Sequence, residues 1–344
     1  MFFCWIKNGF FVHAVRLAQF YLNFLESCFG LSEDKRGMEN QTTHVLITGG
    51  TGLVGARLCS ELCLRGVQVT LITRSPTPPT SPSSLAKFLS WNEVKESSRT
   101  LITQKIDAVF HLAGEPVAQG RWTSERKKRI LSSRVQSTKD LMQALHTLPE
   151  NLKPKRWINA SAIGYFGDRG DETLTPDTPP GEDFLAQVCK EWEASAFNSD
   201  FLPQTTRSVV RIGMVLSQSG GALAKMTPIF QSFLGGPIGA GTHWMSWIHE
   251  ADLTQLFLSL LSEPQTQPIY HAVSPNPVRN KEFTHALAKA LNVPARLPVP
   301  KFALKLLFGE MSSILTASQR VLPVVPKNFE FQFPEIKAAL QDLY

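Results

Sequence analysis

The sequence has little of what marks disulfide-rich, zinc-binding or membrane-spanning proteins. It carries five cysteines in 344 residues, and this odd number without a Cys-x-x-Cys pair indicates neither a disulfide framework nor a zinc site. Cys59 and Cys63 lie one helical turn apart, and we interpret them as small apolar residues on a buried helix face. No uninterrupted apolar stretch approaches the length of a transmembrane helix. These absences favour a reducing compartment, and we predict a cytoplasmic protein.

Basic residues are too scattered to indicate a nucleic-acid partner. The formal net charge is +6, but the one dense basic run, RKKR at 126–129, lies in a predicted helix and is typical of a solvated helix surface. Residues 1–37 are rich in aromatic side chains and contain no acid before Glu26. We predict that this segment is an extension, and a membrane-surface or targeting role stays open for it.

From residue 44 onward, apolar runs alternate with helical patterns. The predicted strands are HVLITGG (44–50), VQVTLITR (67–74), IDAVFHLAG (106–114), RWINASAIG (156–164) and SVVRIGMVL (208–216). GARLCSELCLRG (55–66) has apolar residues at helical spacing and ends at a glycine. Buried strands alternating with helices predict an α/β fold, a Rossmann-type doubly wound parallel sheet.

The chain is predicted to divide into an N-terminal extension, a dinucleotide-binding Rossmann domain, and a smaller C-terminal substrate lobe. The bounds are 1–37, 38–220 and 221–344, and the last part also returns a strand to the sheet near 268–273. The proline-rich stretch PTPPTSPSS (76–84) is predicted to be a surface loop. MSWIHEADL (245–253) is predicted to start a helix, with His249 anchoring that start and Asp252 in the first turn.

A glycine-rich motif, TGGTGLVG, directly follows the first predicted strand. Its glycines let the backbone turn tightly, approach a pyrophosphate closely, and pack the next helix against the strand, while the helix N-terminus supplies amides and a positive dipole end. The strand, turn and helix context indicates a dinucleotide site. The predicted cofactor-binding residues of this loop are Gly49, Gly50, Thr51, Gly52, Leu53, Val54 and Gly55.

The end of the second strand favours NADP(H) over NAD(H). An acid at this place would accept hydrogen bonds from the adenosine ribose of NAD, whereas this chain has Thr73 and Arg74. A cation there can neutralise a 2′-phosphate. We therefore predict NADP(H) as the cofactor.

Several stretches together resemble the extended short-chain dehydrogenase/reductase superfamily, in its nucleotide-sugar epimerase-like group. They are TGGTGLVG, HLAGE (111–115) and SAIGYFGD (161–168). Four longer stretches narrow the resemblance to the epimerase family proteins of the SDR39U1-like group. They are GRWTSERKKRILSSR (120–134), VVRIGMVLSQSGGALAKM (209–226), GGPIGAGTHWMSWIHEADL (235–253) and the tail QRVLPVVPKNFEFQFPEI. It runs from about residue 44 to the C-terminus, and it implies a Rossmann-type domain, bound NADP(H) and a family-specific C-terminal segment, but no known reaction.

The resemblance also implies further cofactor contacts. Across the superfamily the loop after the third strand lies beneath the cofactor; here this loop is Leu112, Ala113 and Gly114, followed by Glu115. Arg134 stands where extended members commonly have asparagine, so we expect this cation to face a cofactor phosphate or the substrate. Arg121 and Arg129 either join it or belong to a solvated helix face. These arginines favour a small anionic substrate.

The resemblance implies a tyrosine as the acid/base, with a lysine four residues later and a serine nearby. Ser161 matches the serine. The helix FLAQVCKEWEASA (184–196) matches the Tyr-x-x-x-Lys segment, with Lys190 at the lysine and Ala186 at the tyrosine position. The expected proton donor is therefore absent from this helix.

Tyr165, followed four residues later by Arg169, is the candidate that remains. It either replaces the missing tyrosine or packs over the cofactor as a loop aromatic. Alternative acids are Asp168, Asp171 and Glu172, and His243 and His249 are further titratable candidates.

Two functions stay open on the sequence. The first is an NADP(H)-dependent oxidoreductase or epimerase that transfers hydride at a carbonyl or hydroxyl of a small substrate, with Ser161, Tyr165 and Lys190 as catalytic residues. The second is an NADP-binding regulatory or sensor protein without turnover, as for the relatives described as cell-division-inhibitor-like.

Overall fold

The structure is a computed structural model that describes residues 43–74, 84–262, 267–295 and 298–344. The predicted extension at 1–37 and most of the predicted proline-rich loop lie outside these ranges. Seven parallel strands form one sheet in the order β3-β2-β1-β4-β5-β7-β11. Its strands are β1 (His44–Thr48), β2 (Gln68–Thr73), β3 (Ala86–Ser90), β4 (Ala108–His111), β5 (Arg156–Ala162), β7 (Thr206–Ile212) and β11 (Ile269–Ala272). The predicted Rossmann-type fold is confirmed.

Helices cover both faces of this sheet, because its strands are apolar on both sides. The helices are α1 (Leu53–Leu64), α2 (Trp91–Leu101), α3 (Ser124–His146), α4 (Phe184–Phe197), α5 (Gly221–Gln231), α6 (Glu250–Ser262), α7 (Asn280–Ala290), α8 (Lys301–Phe308), α9 (Ser313–Thr316) and α10 (Ile336–Leu343). Every residue of β1 is buried, as expected for a central parallel strand. Leu58 of α1 and Leu253 of α6 pack on one face, and Val94 of α2 and Leu141 of α3 pack on the other.

Short strands pair outside the main sheet and hold the C-terminal half together. These pairs are β6 (Thr173–Leu174) with β13 (Arg320–Val321), β8 (Met214–Leu216) with β10 (Trp247–His249), and β9 (Trp244–Met245) with β12 (Val278–Arg279). A further core between α7 and α10 includes Phe283, Leu287 and Leu340. Asp252 accepts hydrogen bonds from the amides of Gln332 at 2.7 Å and Phe333 at 3.1 Å, and thereby ties the C-terminal segment to α6.

The structure corrects three of the secondary-structure predictions. The stretch 208–216 is two strands, because the chain turns at Gly213, where a Cβ would lie 2.8 Å from the carbonyl oxygen of Ser246. The stretch 245–253 begins as strand, at Met245 and Trp247–His249, and its helix begins at Glu250. The His249 ring accepts the amide of Ala251 at 3.2 Å and Asp252 lies in the first turn, as predicted for these two residues. The edge strand β3 was not predicted, since its alternation is weak and Lys87 is exposed.

Candidate functional site

The glycine loop after β1 lies against the end of β4 and the start of α1. Gly49 has φ of +71°, and a Cβ on it would come within 2.8 Å of the Leu112 backbone. A Cβ on Gly55 would lie 2.4 Å from the carbonyl oxygen of Gly49 and 2.8 Å from the Cα of Gly50. Three segments of backbone therefore meet here without room for side chains, as a dinucleotide site requires.

The N-terminus of α1 is open at the same place. Gly52 is the N-cap residue and has no side chain to occupy the first amides of the helix. Thr51 and Gly52 are exposed, whereas Leu53 and Val54 are half-buried, and Leu53 contacts Gly221 at the start of α5. Free amides and a positive dipole end favour a phosphate at this position. The loop predicted from the sequence thus has a geometry that fits a pyrophosphate.

A buried histidine that the sequence reasoning missed holds this loop in place. His111, the last residue of β4, bonds through Nδ1 to the hydroxyl of Thr48 at 2.8 Å and through Nε2 to the hydroxyl of Ser137 at 3.2 Å. The Ala113 amide donates to the same Thr48 hydroxyl at 3.2 Å. Burial lowers the pKa of His111 to about 3, so the ring is neutral and joins β1, β4 and α3. The only sign in the sequence is a histidine in an otherwise apolar strand.

Two arginines meet one carboxylate beside the end of β2. Thr73 is buried there, and the Arg74 side chain is 84% exposed, with Nη1 3.4 Å from Oε2 of Glu115. Arg126 approaches the other oxygen of Glu115 at 2.9 Å. The sequence reasoning placed Arg74 and Glu115 but missed Arg126, which belongs to the RKKR run. Two cations at this edge of the sheet can hold a phosphate once the carboxylate releases them.

Arg134 lies beneath the loop after β4, which corrects the expectation that it faces phosphate or substrate. A Cβ on Gly114 would come within 2.9 Å of the Arg134 guanidinium. Its Nη1 donates to the carbonyl oxygens of Glu115 and Ile130, both at 3.0 Å, and its guanidinium lies 5.1 Å from the ring centroid of Trp192. Arg134 therefore supports the cofactor loop from below.

Ser161 belongs to a buried charged network under the carboxyl end of the sheet. Its hydroxyl donates to Oε1 of Glu193 at 2.7 Å. Glu193 also accepts hydrogen bonds from Nε and Nη2 of Arg211, at 2.9 and 2.8 Å. Ser161, Arg211 and His271 are register partners on the neighbouring strands β5, β7 and β11. The serine hydroxyl is thus directed to the Glu193–Arg211 pair, which the sequence reasoning did not identify.

The register of α4 also differs from the predicted one. Cys189 lies beside the Ser161 hydroxyl and the Ala162 backbone, and burial raises the pKa of its thiol to about 11. Leu185, one turn earlier, packs near Gly164. Lys190 is exposed, because it is displaced by about 100° around the helix from Cys189. The helix face that meets Ser161 is therefore Leu185, Cys189 and Glu193, and it carries neither a phenol nor an ammonium group.

Tyr165 lies above this network. It is half-buried in a short 3-10 helix, Ile163–Phe166, and its ring centroid lies 3.5 Å from the Arg211 guanidinium carbon. Arg169 instead donates to the carbonyl oxygens of Phe166 at 3.0 Å and Pro179 at 2.7 Å. The Tyr165-x-x-x-Arg169 spacing therefore does not form a phenol and cation pair, and Arg211 is the cation that contacts Tyr165.

The alternative acids hold the chain together beside this loop. Asp168 accepts the amide of Ser318 at 3.0 Å, and Glu172 lies 3.6 Å from Arg169. Asp171 accepts hydrogen bonds from the guanidinium of Arg279 at 2.6 Å and from the indole N–H of Trp244 at 3.0 Å. The hydrogen bond from Arg279 contributes most, and that from Trp244 less, to keeping the pKa of Asp171 below its usual value. Asp171 is therefore a poor proton donor.

The remaining candidates are also engaged elsewhere or neutral. Burial lowers the pKa of His243 and of His249 to about 4, so both rings are uncharged at neutral pH. Arg121 donates to the carbonyl oxygens of Leu306 at 2.8 Å and Leu307 at 3.2 Å. Arg129 pairs with Glu125 at 3.5 Å. Cys59 and Cys63 are buried, as predicted.

Neither a metal cluster nor a membrane span is found in the described part of the chain. Among residues 43–74, 84–262, 267–295 and 298–344, no group of three or more His, Cys, Asp or Glu side chains is placed to hold a metal ion. No helix within these ranges is long and apolar enough to cross a bilayer.

Comparison with known proteins identifies relatives over most of the chain. Residues 45–274 match the NAD dependent epimerase/dehydratase family, and residues 299–343 match a domain of unknown function, DUF1731. An Arabidopsis thaliana protein named epimerase family protein SDR39U1 homolog, chloroplastic, is 37% identical over 305 residues, which cover 88% of this chain and 87% of that protein. An epimerase family protein of Staphylococcus aureus is 35% identical over 303 residues, 87% of this chain and 98% of that protein.

Solved structures agree with this assignment. The human epimerase family protein SDR39U1, solved with NADPH, superposes with a TM-score of 0.77 at 31% identity and covers 88% of this chain and 99% of its own. A UDP-glucuronic acid 4-epimerase from Bacillus cereus, with a TM-score of 0.68 and 15% identity over 88% of this chain and 98% of its own, shares the fold. The resemblance read from the sequence is confirmed, and the chain belongs to the NAD dependent epimerase/dehydratase family.

Proposed function

We propose that this protein binds NADP(H) and transfers hydride at a carbonyl or hydroxyl carbon of a small, anionic substrate. The observation that carries the proposal is the open N-terminus of α1, which follows β1, together with the Arg74–Glu115–Arg126 cluster at the end of the neighbouring strand β2. The human relative was solved with NADPH, which supports the same cofactor here.

The chain's own residues have distinct roles in this proposal. The glycine loop and the amides of α1 bind the pyrophosphate, and Arg74 and Arg126 bind the 2′-phosphate. His111 and Arg134 keep the two loops of the cleft in position. Bound NADP(H) would supply or accept the hydride.

Tyr165 is the residue that we propose to move the proton at the substrate oxygen. Tyr165 follows the end of β5 by three residues, and its ring centroid lies 3.5 Å from the Arg211 guanidinium carbon, which holds it in place. Ser161 and Glu193 then act through Arg211 and do not contact the substrate. The exposed Lys190 has no part in this arrangement.

The cofactor assignment is tested by Arg74→Ala. Loss of a hydrogen-bonded charge contact of about 1.5–3 kcal/mol should weaken NADPH binding roughly tenfold or more, and NADH binding should change little. Glu115→Gln should have the opposite effect and strengthen NADPH binding, since it removes the carboxylate that competes for both arginines. Arg99→Ala, an exposed arginine on α2, is the matched control for net charge. Equal losses of NADPH and NADH affinity in Arg74→Ala would refute the assignment.

The reaction is tested by following NADPH fluorescence against a panel of carbonyl compounds. We expect turnover with at least one of them, and we expect Tyr165→Phe to abolish turnover while NADPH affinity is retained. Tyr344→Phe, which removes a phenol at the C-terminus, should leave turnover intact. Turnover that persists in Tyr165→Phe would refute the role of Tyr165.

A second candidate function is NADP(H) binding without turnover, as in a sensor or regulatory protein. The observation that favours it is the helix face formed by Leu185, Cys189 and Glu193, which lacks the tyrosine and lysine of superfamily enzymes. Tight NADPH binding without oxidation of NADPH by any compound of the carbonyl panel would support this function over hydride transfer. We further propose a cytoplasmic location, although the name of the Arabidopsis relative assigns that protein to the chloroplast.

A further inference from the structure

Helix α8 presents large apolar side chains to solvent. Phe302 is 75% exposed, Leu306 is 74% exposed, and Leu307 is also exposed. Only Leu304 of this helix is buried. A short helix whose outer face is aromatic and aliphatic is unusual on a protein surface, and such patches mark interaction sites.

A second exposed apolar group lies on the neighbouring segment. Ile229, Phe233 and Leu234 at the end of α5 are exposed, and Phe233 has φ of +62°. The amide of Gly239 donates to the carbonyl oxygen of Val299 at 2.8 Å, which joins the chain after Leu234 to the chain before α8. Phe233 is the left-handed residue of the C-cap of α5: its amide donates to the carbonyl oxygen of Phe230 at 2.9 Å, and the amide of Leu234 donates to that of Ile229 at 3.1 Å. The cap holds the Phe233 side chain on the surface, where it is exposed.

Exposed cations lie on α8 itself and on the start of α3, which contacts it. Lys301 and Lys305 of α8 are exposed, and Arg121 bonds to the carbonyl oxygens at the end of α8. This bond brings the RKKR run at the start of α3 next to α8, and Lys128 in that run is exposed.

The acids nearby are already paired. Glu310 pairs with Lys127, and Glu125 pairs with Arg129 at 3.5 Å. Lys301, Lys305 and Lys128 therefore leave an excess of positive charge around the apolar side chains.

We propose that α8, the end of α5 and the start of α3 together form a docking surface for an anionic lipid bilayer. Apolar side chains flanked by lysines are the pattern by which helices lie in a membrane interface. A second copy of the chain fits less well, because a symmetric dimer through α8 would gather four exposed lysines, Lys301 and Lys305 of each copy, in one contact. Residues 1–37 have a similar composition, since they are rich in aromatics and free of acids before Glu26.

The test is flotation of the full chain with vesicles of phosphatidylcholine alone or mixed with phosphatidylglycerol. We expect binding only to the mixed vesicles, weakened by salt. Phe302→Ser combined with Leu306→Ser should lower the bound fraction about tenfold or more, as should Lys301→Glu combined with Lys305→Glu. Leu64→Ser is the matched control, because Leu64 is 74% exposed at the far end of α1, and it should bind like the wild type.

Two outcomes would overturn the proposal. One is unchanged vesicle binding in both α8 double variants, which would assign the attachment to residues 1–37 alone. The other is a dimer in light scattering that the α8 variants convert to a monomer without a change in vesicle binding. NADPH affinity and the unfolding temperature, measured for each variant, confirm that it is folded, and they keep this test separate from that of the proposed function.

Discussion

Glu193→Gln should destabilise the protein far more than the same substitution two residues earlier in α4. Glu193 is 5% exposed and accepts hydrogen bonds from Ser161 and from two nitrogens of Arg211. Glutamine preserves the shape but removes the charge, and it leaves Arg211, which is 1% exposed, as an uncompensated buried cation. Breaking a buried pair in this way costs about 3–5 kcal/mol, a large part of a typical total stability of roughly 5–15 kcal/mol.

Urea unfolding and thermal melting measure this loss. We expect the unfolding temperature of Glu193→Gln to fall by roughly 6 °C or more. Glu191→Gln is the control, because Glu191 accepts one hydrogen bond from Gln187 near the surface, and its effect should stay within about 0.5 kcal/mol. Equal losses of stability in the two variants would refute the reasoning.

A double variant separates the charge from the packing. Glu193→Leu combined with Arg211→Met removes both charges, and it should recover most of the stability lost in Glu193→Gln, since apolar replacement of a buried pair is often neutral or stabilising. A double variant as unstable as Glu193→Gln would show that shape, and not charge, holds Ser161 and Tyr165 in place.

Three further predictions follow from the cofactor loop and its surroundings. Gly55→Ala should destabilise the protein and abolish NADPH binding in a fluorescence titration, because its Cβ would lie 2.4 Å from the carbonyl oxygen of Gly49, although alanine is the better helix former. Ala56→Gly, which loses about 1 kcal/mol of helix propensity, should still bind NADPH, and failure of both would count against a local clash. The pKa of His111 lies at about 3 in the folded protein against 6.5 when unfolded, so its contribution to stability is full above pH 6.5 and falls by about 1.4 kcal/mol per pH unit below it. The urea midpoints of the wild type and of His111→Asn should be measured against pH. Below pH 6.5 the midpoint should fall less steeply in the variant, and an identical fall in both proteins would contradict the assignment. Asp252→Asn loses one of two carboxylate acceptors for backbone amides of the C-terminal segment, so limited proteolysis should cut that segment faster, and an unchanged rate would refute the role of Asp252.

The glycine loop and the parallel sheet were predictable, because local sequence patterns determine them. Gly49, Gly52 and Gly55 are needed by one continuous strand, turn and helix, so their spacing carries the dinucleotide site without reference to the rest of the chain. The parallel sheet followed from apolar runs without alternation, because only strands covered on both faces have that pattern. The place of Arg74 at the end of β2 was likewise predictable, since it directly follows an apolar run, whereas its contact with a 2′-phosphate stays a prediction.

The surroundings of Ser161 and Tyr165 depend on which face of α4 packs against β5, and residue spacing alone does not contain that information. Lys190 fits the Tyr-x-x-x-Lys pattern, yet a difference of one residue rotates a side chain by about 100°, and the packing of α4 on β5 brings Cys189 to Ser161. Glu193 and Arg211 are 18 residues apart and meet only because β7 lies beside β5. Sequence by itself therefore determined the fold and the cofactor loop, which are built from local patterns, and it also showed Ala186 in place of the expected tyrosine. Tertiary packing decided that Lys190 is exposed and that Ser161 meets the buried Glu193–Arg211 pair, because the contacts of a helix with distant strands are not contained in residue spacing.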